Sequence, residues 1–203
     1  MADIAAILLA AGRSSRFREG GGAEPSKLVA DLHGKPLVRH AAEAALASRA
    51  TPLIVVTGFA REAVEAALAG LPARFAHNAD YATGMASSLK AGLAAAPAES
   101  KGALIMLADM PSVRPALIDR LIDAFLARPD VAVAAPVVSG QRGNPVILSR
   151  RLFAAASALE GDEGARRIIA GIDAARVALV EDADGGSALD IDTRAALAAA
   201  REL

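Results

Sequence analysis

The sequence predicts a three-layer α/β/α fold around a mostly parallel central sheet, and three observations predict it. Short apolar runs alternate with alanine-rich helical stretches along the chain, as strands joined by helical crossovers do. Two runs, Ile4–Ala10 and 103–107, are apolar throughout, which fits central strands covered on both faces. No Pro/Ser-rich linker and no internal repeat divides the 203 residues, so residues 1–203 are expected to form a single domain.

Expected strands, in order, are Ile4–Ala10, Leu53–Thr57, 74–77, 103–107, 131–138, 145–148 and 176–180. Between them the alanine content supports helices at 36–48, 60–70, 84–95, 114–127, 149–157, 162–171 and 193–201. Thr193 is placed to cap the last of these, Pro115 fits a first turn, and Gly70 and Gly171 fit helix stops.

Composition removes several function classes. With 22 Lys+Arg against 23 Asp+Glu the formal charge is −1, which offers no electrostatic footprint for nucleic acid or an anionic membrane. Five Phe and one Tyr leave little surface for stacking a nucleic-acid strand. Cysteine is absent, which excludes disulfides, thiolate metal sites and cysteine nucleophiles. His33, His40 and His77 lack the spacing of a zinc site. The opening apolar run lacks a basic flank and reads as a strand rather than a signal peptide. No run reaches the ~18 residues of a membrane helix, and a cytoplasmic location is expected.

In open parallel sheets ligands sit beyond the carboxyl ends of the strands, and four loops there carry chemistry. The first is Leu9-Ala10-Ala11-Gly12-Arg13 with Arg16, running through glycines 20–22 to Lys27. Its small residues let backbone N–H groups approach a phosphate or a base, and its cations can neutralise a triphosphate; a solvated surface loop is the alternative. It matches neither G-x-G-x-x-G nor G-x-x-x-x-G-K-[ST]. The second is Leu107-Ala108-Asp109-Met110-Pro111. A carboxylate on a rigid strand end suits Mg²⁺, which takes one or two protein carboxylates, although an Asp here also suits a turn or cap. Third, Asp190 and Asp192 would share one face of a short strand and complete a metal site, or Asp192 would simply begin the final helix. Fourth, Gly84 to Ser88 open a helix whose free N–H groups and hydroxyls suit a polar ligand or an ordinary cap. Tyr81 suits ligand stacking or core packing, and the acidic segment 181–186 reads as a solvated turn.

Taken in order, these loops resemble the MobA-like nucleotidyltransferases, above all their molybdenum cofactor cytidylyltransferase branch. Leu9-Ala10-Ala11-Gly12, Arg16-Phe17 and Lys27 fit the opening L-A-A-G-x-x-x-R-[FM]-G and its following lysine, and Gly34-Lys35-Pro36-Leu37 comes next. Gly84-Met85-Ala86-Ser87-Ser88-Leu89 is similar to G-M-x-x-S-L, and the Asp109 loop to L-A-D-M-P. Gly143-Asn144-Pro145-Val146 resembles G-x-P-V, Gly161-Asp162-Glu163-Gly164-Ala165-Arg166 resembles G-D-x-G-A-R, and Asp190-Ile191-Asp192-Thr193 resembles D-I-D-T. The chain departs from the pattern in having Arg18 where glycine is usual and extra residues 19–26 before Lys27.

The resemblance implies a Rossmann-like nucleotidyltransferase fold and a Mg²⁺-dependent reaction. A phosphate oxygen of the acceptor, a molybdopterin-type phosphate, attacks the α-phosphorus of CTP, and pyrophosphate leaves. On this resemblance Leu9, Ala10, Ala11, Gly12 and Arg13 hold the nucleotide with Gly84 and Ser88, and Arg16 and Lys27 are catalytic. Asp109 and Asp192 hold the metal, while Gly143, Asn144, Pro145, Gly161 and Asp162 lie on the acceptor side. Such chemistry asks mainly for positioning and charge stabilisation. The Ala11 methyl should favour a pyrimidine, by the ~1–3 kcal/mol such a group discriminates. A GTP-dependent molybdopterin guanylyltransferase, a cytidylyltransferase of a sugar 1-phosphate or methylerythritol phosphate, and a non-catalytic molybdopterin-delivery protein are the alternatives. The partners implied are CTP or another NTP, the acceptor, and transiently a molybdoenzyme or its chaperone.

Overall fold

The computed structural model describes residues 3–21 and 23–202; Met1, Ala2, Gly22 of the glycine run and Leu203 lie outside the described residues. The chain begins with β1 (Ile4–Ala10), α1 (Ser15–Glu19), β2 (Asp31–Leu32), β3 (Lys35–Pro36) and α2 (Leu37–Leu46). It continues through β4 (Leu53–Thr57), α3 (Arg61–Ala67), β5 (Ala73–His77), α4 (Met85–Ala95), β6 (Gly102–Leu107) and α5 (Pro115–Leu126). It ends with β7 (Val133–Val138), β8 (Gln141–Arg142), β9 (Val146–Ser149), α6 (Phe153–Ala156), α7 (Ala165–Ile169), β10 (Val177–Glu181) and α8 (Arg194–Arg201).

The main sheet has the order β10-β7-β9-β6-β1-β4-β5, with β8 paired to β7. Pairs β1/β4, β1/β6, β4/β5 and β7/β10 are parallel, and β9 runs antiparallel to both its neighbours. From β1 the chain crosses to β4 and β5, then returns through α4 to β6 on the other side of β1. Strand order therefore switches between β1 and β6, and their carboxyl ends open a crevice there.

The period-two geometry of β1 builds the layers. Ile4, Ala6, Leu8 and Ala10 belong to the core under α2, α3 and α5, whereas Ala5 and Ile7 belong to the core under α4, α6 and α7. Helix α5 starts with Pro115 in its first turn and buries Leu117, Ile118, Leu121, Ile122 and Phe125, a helical apolar stripe. Each such side chain contributes roughly 1.5–3 kcal/mol on full burial. Gly92 lets α4 lie close on the sheet, since a Cβ there would come 2.4 Å from Ile7 Cγ2.

Several expectations are corrected. The stretch read as one loop before Lys27 contains α1, and a hairpin of β2 and β3 follows it, turning at His33 and Gly34 with φ of 53° and 79°, the left-handed pair a tight hairpin needs. Extra residues before Lys27 fold against α8: Arg194 donates to Glu24 at 2.8 Å and lies over the Phe17 ring at 4.3 Å. The helix expected at 149–157 is a 3₁₀ turn followed by α6, and that at 162–171 shrinks to α7. Gly161, with φ of 54°, stands between them in a conformation helices do not use. Gly70 sits in a turn beyond the end of α3 at φ of 81°, and α7 stops before Gly171. Asp182 in the acidic segment is buried, its Oδ2 accepting from the Ser187 N–H at 2.8 Å. Thr193 caps α8 as expected, accepting from the Ala196 N–H at 3.1 Å. No helix among the described residues is long and apolar enough to cross a membrane.

Candidate functional site

A cavity of about 560 Å³ opens at the switch between β1 and β6. Its walls bring together most of the residues singled out in the sequence. Leu9, Ala11, Gly12, Arg13 and Arg16 line one side, Gly84, Ser88 and Asp162 the other, and Lys27, Asp109 and Asp192 also face it. Ala10 does not: it is fully buried in the core under α2.

Charges dominate one part of this cavity. Lys27 is 9% exposed, and its Nζ donates to Asp109 Oδ2 and Asp192 Oδ1, each at 2.6 Å. Arg16, largely exposed, reaches Asp192 Oδ2 at 2.8 Å. Burial opposes the Lys27 ammonium, yet the Asp109 charge and the hydrogen bonds to both carboxylates hold its pKa above the ordinary lysine value. Burial likewise opposes charge on Asp192, but the Lys27 hydrogen bond and the Lys27 and Arg16 charges bring its pKa below the ordinary range.

The scaffold fixes each member. Asp109 stands just past β6, after Ala108, and the Ile191 N–H donates to the Asp109 carbonyl at 2.9 Å, which brings Asp192 alongside. Ser14, at φ of 53°, accepts from the Lys27 N–H at 3.3 Å and lies 3.0 Å from Ser26 Oγ, which in turn accepts from the Leu28 N–H at 3.2 Å. Asp190 and Asp192 do not share the face of a strand: the segment is irregular, and Asp190 faces a different cavity.

Asp109 Oδ1 is buried without a hydrogen-bond partner. A hard carboxylate oxygen with unused acceptor capacity, beside a second carboxylate, fits a divalent cation of the Mg²⁺ type. Among the described residues there is no group of three or more His, Cys, Asp or Glu arranged for a metal, so the donor set is this pair.

At the start of α4, Gly84 adopts φ of 117°, and a Cβ there would fall 2.2 Å from the Gly161 carbonyl group. That carbonyl accepts from the Ala86 N–H at 3.0 Å, so Gly161 satisfies one of the free donors of α4. Asn78, 5% exposed, donates to Ser87 Oγ at 2.8 Å and Ser88 Oγ at 3.0 Å. Ala11 and Tyr81 back the cavity together, packed so closely on Gly58 that a Cβ there would come within 2.8 Å of both the Ala11 methyl and Tyr81 Cβ. Sequence reasoning missed Ser14, Ser26 and Asn78 because no motif distinguishes them; Ser26 adjoins Lys27 in the sequence, but only folding brings Ser14 beside Lys27 and Asn78 beside Ser88.

The acceptor-side residues divide. Gly143 and Asn144 line a second cavity of about 470 Å³ with Arg142, Arg166 and Asp190, and Leu107 lines both cavities. Pro145 is buried, and Gly161 faces shallower recesses beside α4 and α7. Gly143 packs on Ser187, whose carbonyl accepts from the Asn144 N–H at 3.1 Å.

The chain is similar to nicotine blue oxidoreductase of Paenarthrobacter nicotinovorans, with 31% identity over 94% of this chain and 92% of that protein. It is 30% identical to the bifunctional protein GlmU of Symbiobacterium thermophilum over 75% of this chain but only 31% of that longer protein. The Rv0371c structure from Mycobacterium tuberculosis superposes with a TM-score of 0.82 at 27% identity, covering 100% of this chain and 99% of that one. A second Rv0371c structure, in complex with manganese, has a TM-score of 0.77 at 26% identity and covers 98% of each chain. The MobA-like NTP transferase domain model matches residues 6–179, and with the crevice and charges described above, the chain belongs to that family of nucleotidyltransferases.

Proposed function

We propose that this chain acts as a single-domain, divalent-metal-dependent nucleotidyltransferase that moves CMP from CTP to the phosphate of a molybdopterin-type acceptor. The observation that carries it is the cluster of Lys27, Arg16, Asp109 and Asp192 in the cavity at the β1/β6 switch. Nucleotidyl transfer needs cations where triphosphate charge gathers and carboxylates where a metal is held, and no side-chain nucleophile.

In this reading Leu9, Ala11, Gly12, Arg13, Gly84 and Ser88 hold the nucleotide. Asp109 and Asp192 hold Mg²⁺, which supplies Lewis-acid stabilisation of phosphate charge. Manganese in the related Rv0371c complex supports a divalent ion. Arg16 and Lys27 neutralise charge as an acceptor phosphate oxygen bonds to the α-phosphorus and the α–β bridging P–O bond breaks, its electrons leaving on pyrophosphate. The second cavity, joined to the first at Leu107, receives the acceptor beside Gly143 and Asn144. CTP is favoured by the Leu9-Ala10-Ala11-Gly12 opening and by the methyl of Ala11, a residue that lines the cavity.

Pyrophosphate release with Mg²⁺ and molybdopterin, run in parallel with CTP, GTP, ATP and UTP, tests the reading. Release with CTP alone supports it, and release with GTP alone reverses the base assignment. The match to nicotine blue oxidoreductase along nearly the full chain favours a second reading, redox turnover. Nicotine blue offered with a nicotinamide hydride donor would then change absorbance while no pyrophosphate appears with any nucleotide.

A further inference from the structure

We propose that Lys27 is a built-in counter-ion that occupies the divalent-cation site and yields it only when a nucleoside triphosphate arrives. This rests on the reading that Asp109 and Asp192 hold the metal. The ammonium nitrogen contacts one oxygen of each carboxylate at 2.6 Å, so it sits where it competes with any cation the pair would hold. Arg16 takes the other Asp192 oxygen at 2.8 Å, and the remaining Asp109 oxygen, Oδ1, is buried and unpartnered.

A metal ion held by both carboxylates would compete with the Lys27 ammonium, the one cation among the described residues that contacts both, and with Arg16 on Asp192. Where the ammonium gives way, the main chain cannot follow it, because Ser14 and Ser26 hold the backbone N–H groups of Lys27 and Leu28. Moving a buried ammonium away from both its counter-charges is costly unless another anion receives it. The cavity that Lys27 lines is where a triphosphate would supply that anion. Metal and nucleotide then favour each other's binding, a coupling that must be reciprocal. Free metal binds weakly, and the two enter together.

The test is Mn²⁺ binding, followed by electron paramagnetic resonance and calorimetry, to wild type, Lys27→Met and Lys27→Gln, each with and without CTP. Without nucleotide, both variants should bind Mn²⁺ roughly tenfold more tightly or better, the scale of one removed competing charge. Adding CTP should tighten Mn²⁺ binding by a larger factor in the wild type than in the variants, where only the attraction between metal and phosphate remains. The double variant Lys27→Met/Asp109→Asn should lose the gain, which separates the site from general charge effects. In wild type, the ¹⁵Nζ signal of Lys27 should move with Mg²⁺ and CTP together and stay in place with Mg²⁺ alone; this readout needs no variant to fold. Equal Mn²⁺ affinity in wild type and folded variants, or a Lys27 signal that moves with Mg²⁺ alone, overturns the counter-ion role and leaves the metal assignment standing. Absence of Mn²⁺ binding in every form, with CTP present, removes the metal assignment itself.

Discussion

The main-chain N–H of Ile191 donates to the Asp109 carbonyl at 2.9 Å. Through that bond a segment near the end of the chain becomes a neighbour of the central strand β6, and Asp192 meets Asp109 across Lys27. The Asp109 carboxylate is thus held on two sides, by its own strand end and by Lys27.

Replacing Asp109 with Asn keeps the shape and removes the charge. Pyrophosphate release should fall by about 10²–10³-fold, the usual scale for losing one electrostatic group of a transfer site. Lys27 keeps Asp192 as its partner, so cooperative urea unfolding should persist. Turnover near the wild-type rate would remove Asp109 from the reaction.

Glycines of the cavity wall should separate into two kinds. Gly84→Ala places a methyl against the Gly161 carbonyl at a backbone angle that side chains avoid; a loss of about 3 kcal/mol or more is expected by chemical denaturation. Gly12 has nothing within 4 Å of its would-be Cβ. Gly12→Ala should therefore fold normally and weaken nucleotide affinity instead, measured by titration with CTP. Equal stability of the two variants would contradict the close packing at Gly84.

Asn78→Ala removes the donor shared by Ser87 and Ser88. A loss of about 1–3 kcal/mol follows from leaving buried polar groups unpaired. Asn78→Asp should not rescue it, since a carboxylate presents acceptors where the amide presents donors.

Acid should weaken the charged cluster in a defined window. Asp192 has a pKa below the ordinary 3.8 in the folded protein, so its stabilisation is complete above that value and disappears as pH falls through the lowered pKa. Lys27 has the opposite sense: its pKa lies above 10.5, and its contribution is complete below that value and lost as pH climbs through the raised pKa. The stability difference between wild type and Asp192→Asn should be flat near neutrality and shrink in acid. A difference that grows on acidification would reverse the assignment.

Much of this architecture is legible in the sequence, for reasons particular to each element. Strands β1 and β6 are apolar at every position because both their faces are covered, and Pro115 and Thr193 mark helix starts by their own chemistry. The direction of β9 is not legible, since an apolar run reads alike in parallel and antiparallel pairing. Helix α1 was hidden in a segment rich in glycine and charge, where the contacts of Phe17 and Glu24 with Arg194 are made. At the site, the loop chemistry pointed to Lys27, Asp109 and Asp192 separately. Their meeting in one ion cluster, and the parting of Asp190 from Asp192, depend on contacts that no local pattern encodes.

The cluster draws on residues near both ends of the described chain, whereas every strand lies within Ile4–Ala10 to Val177–Glu181. A chain cut between Glu181 and Asp192 would therefore keep every described strand and lose one carboxylate of the cluster. In such a chain Lys27 and Asp109 would have only each other, and Arg16 would lose the counter-charge of Asp192. Strand pairing and charge balance at the site are thus separable along the sequence, and loss of the segment after β10 would disturb the cluster without removing a strand.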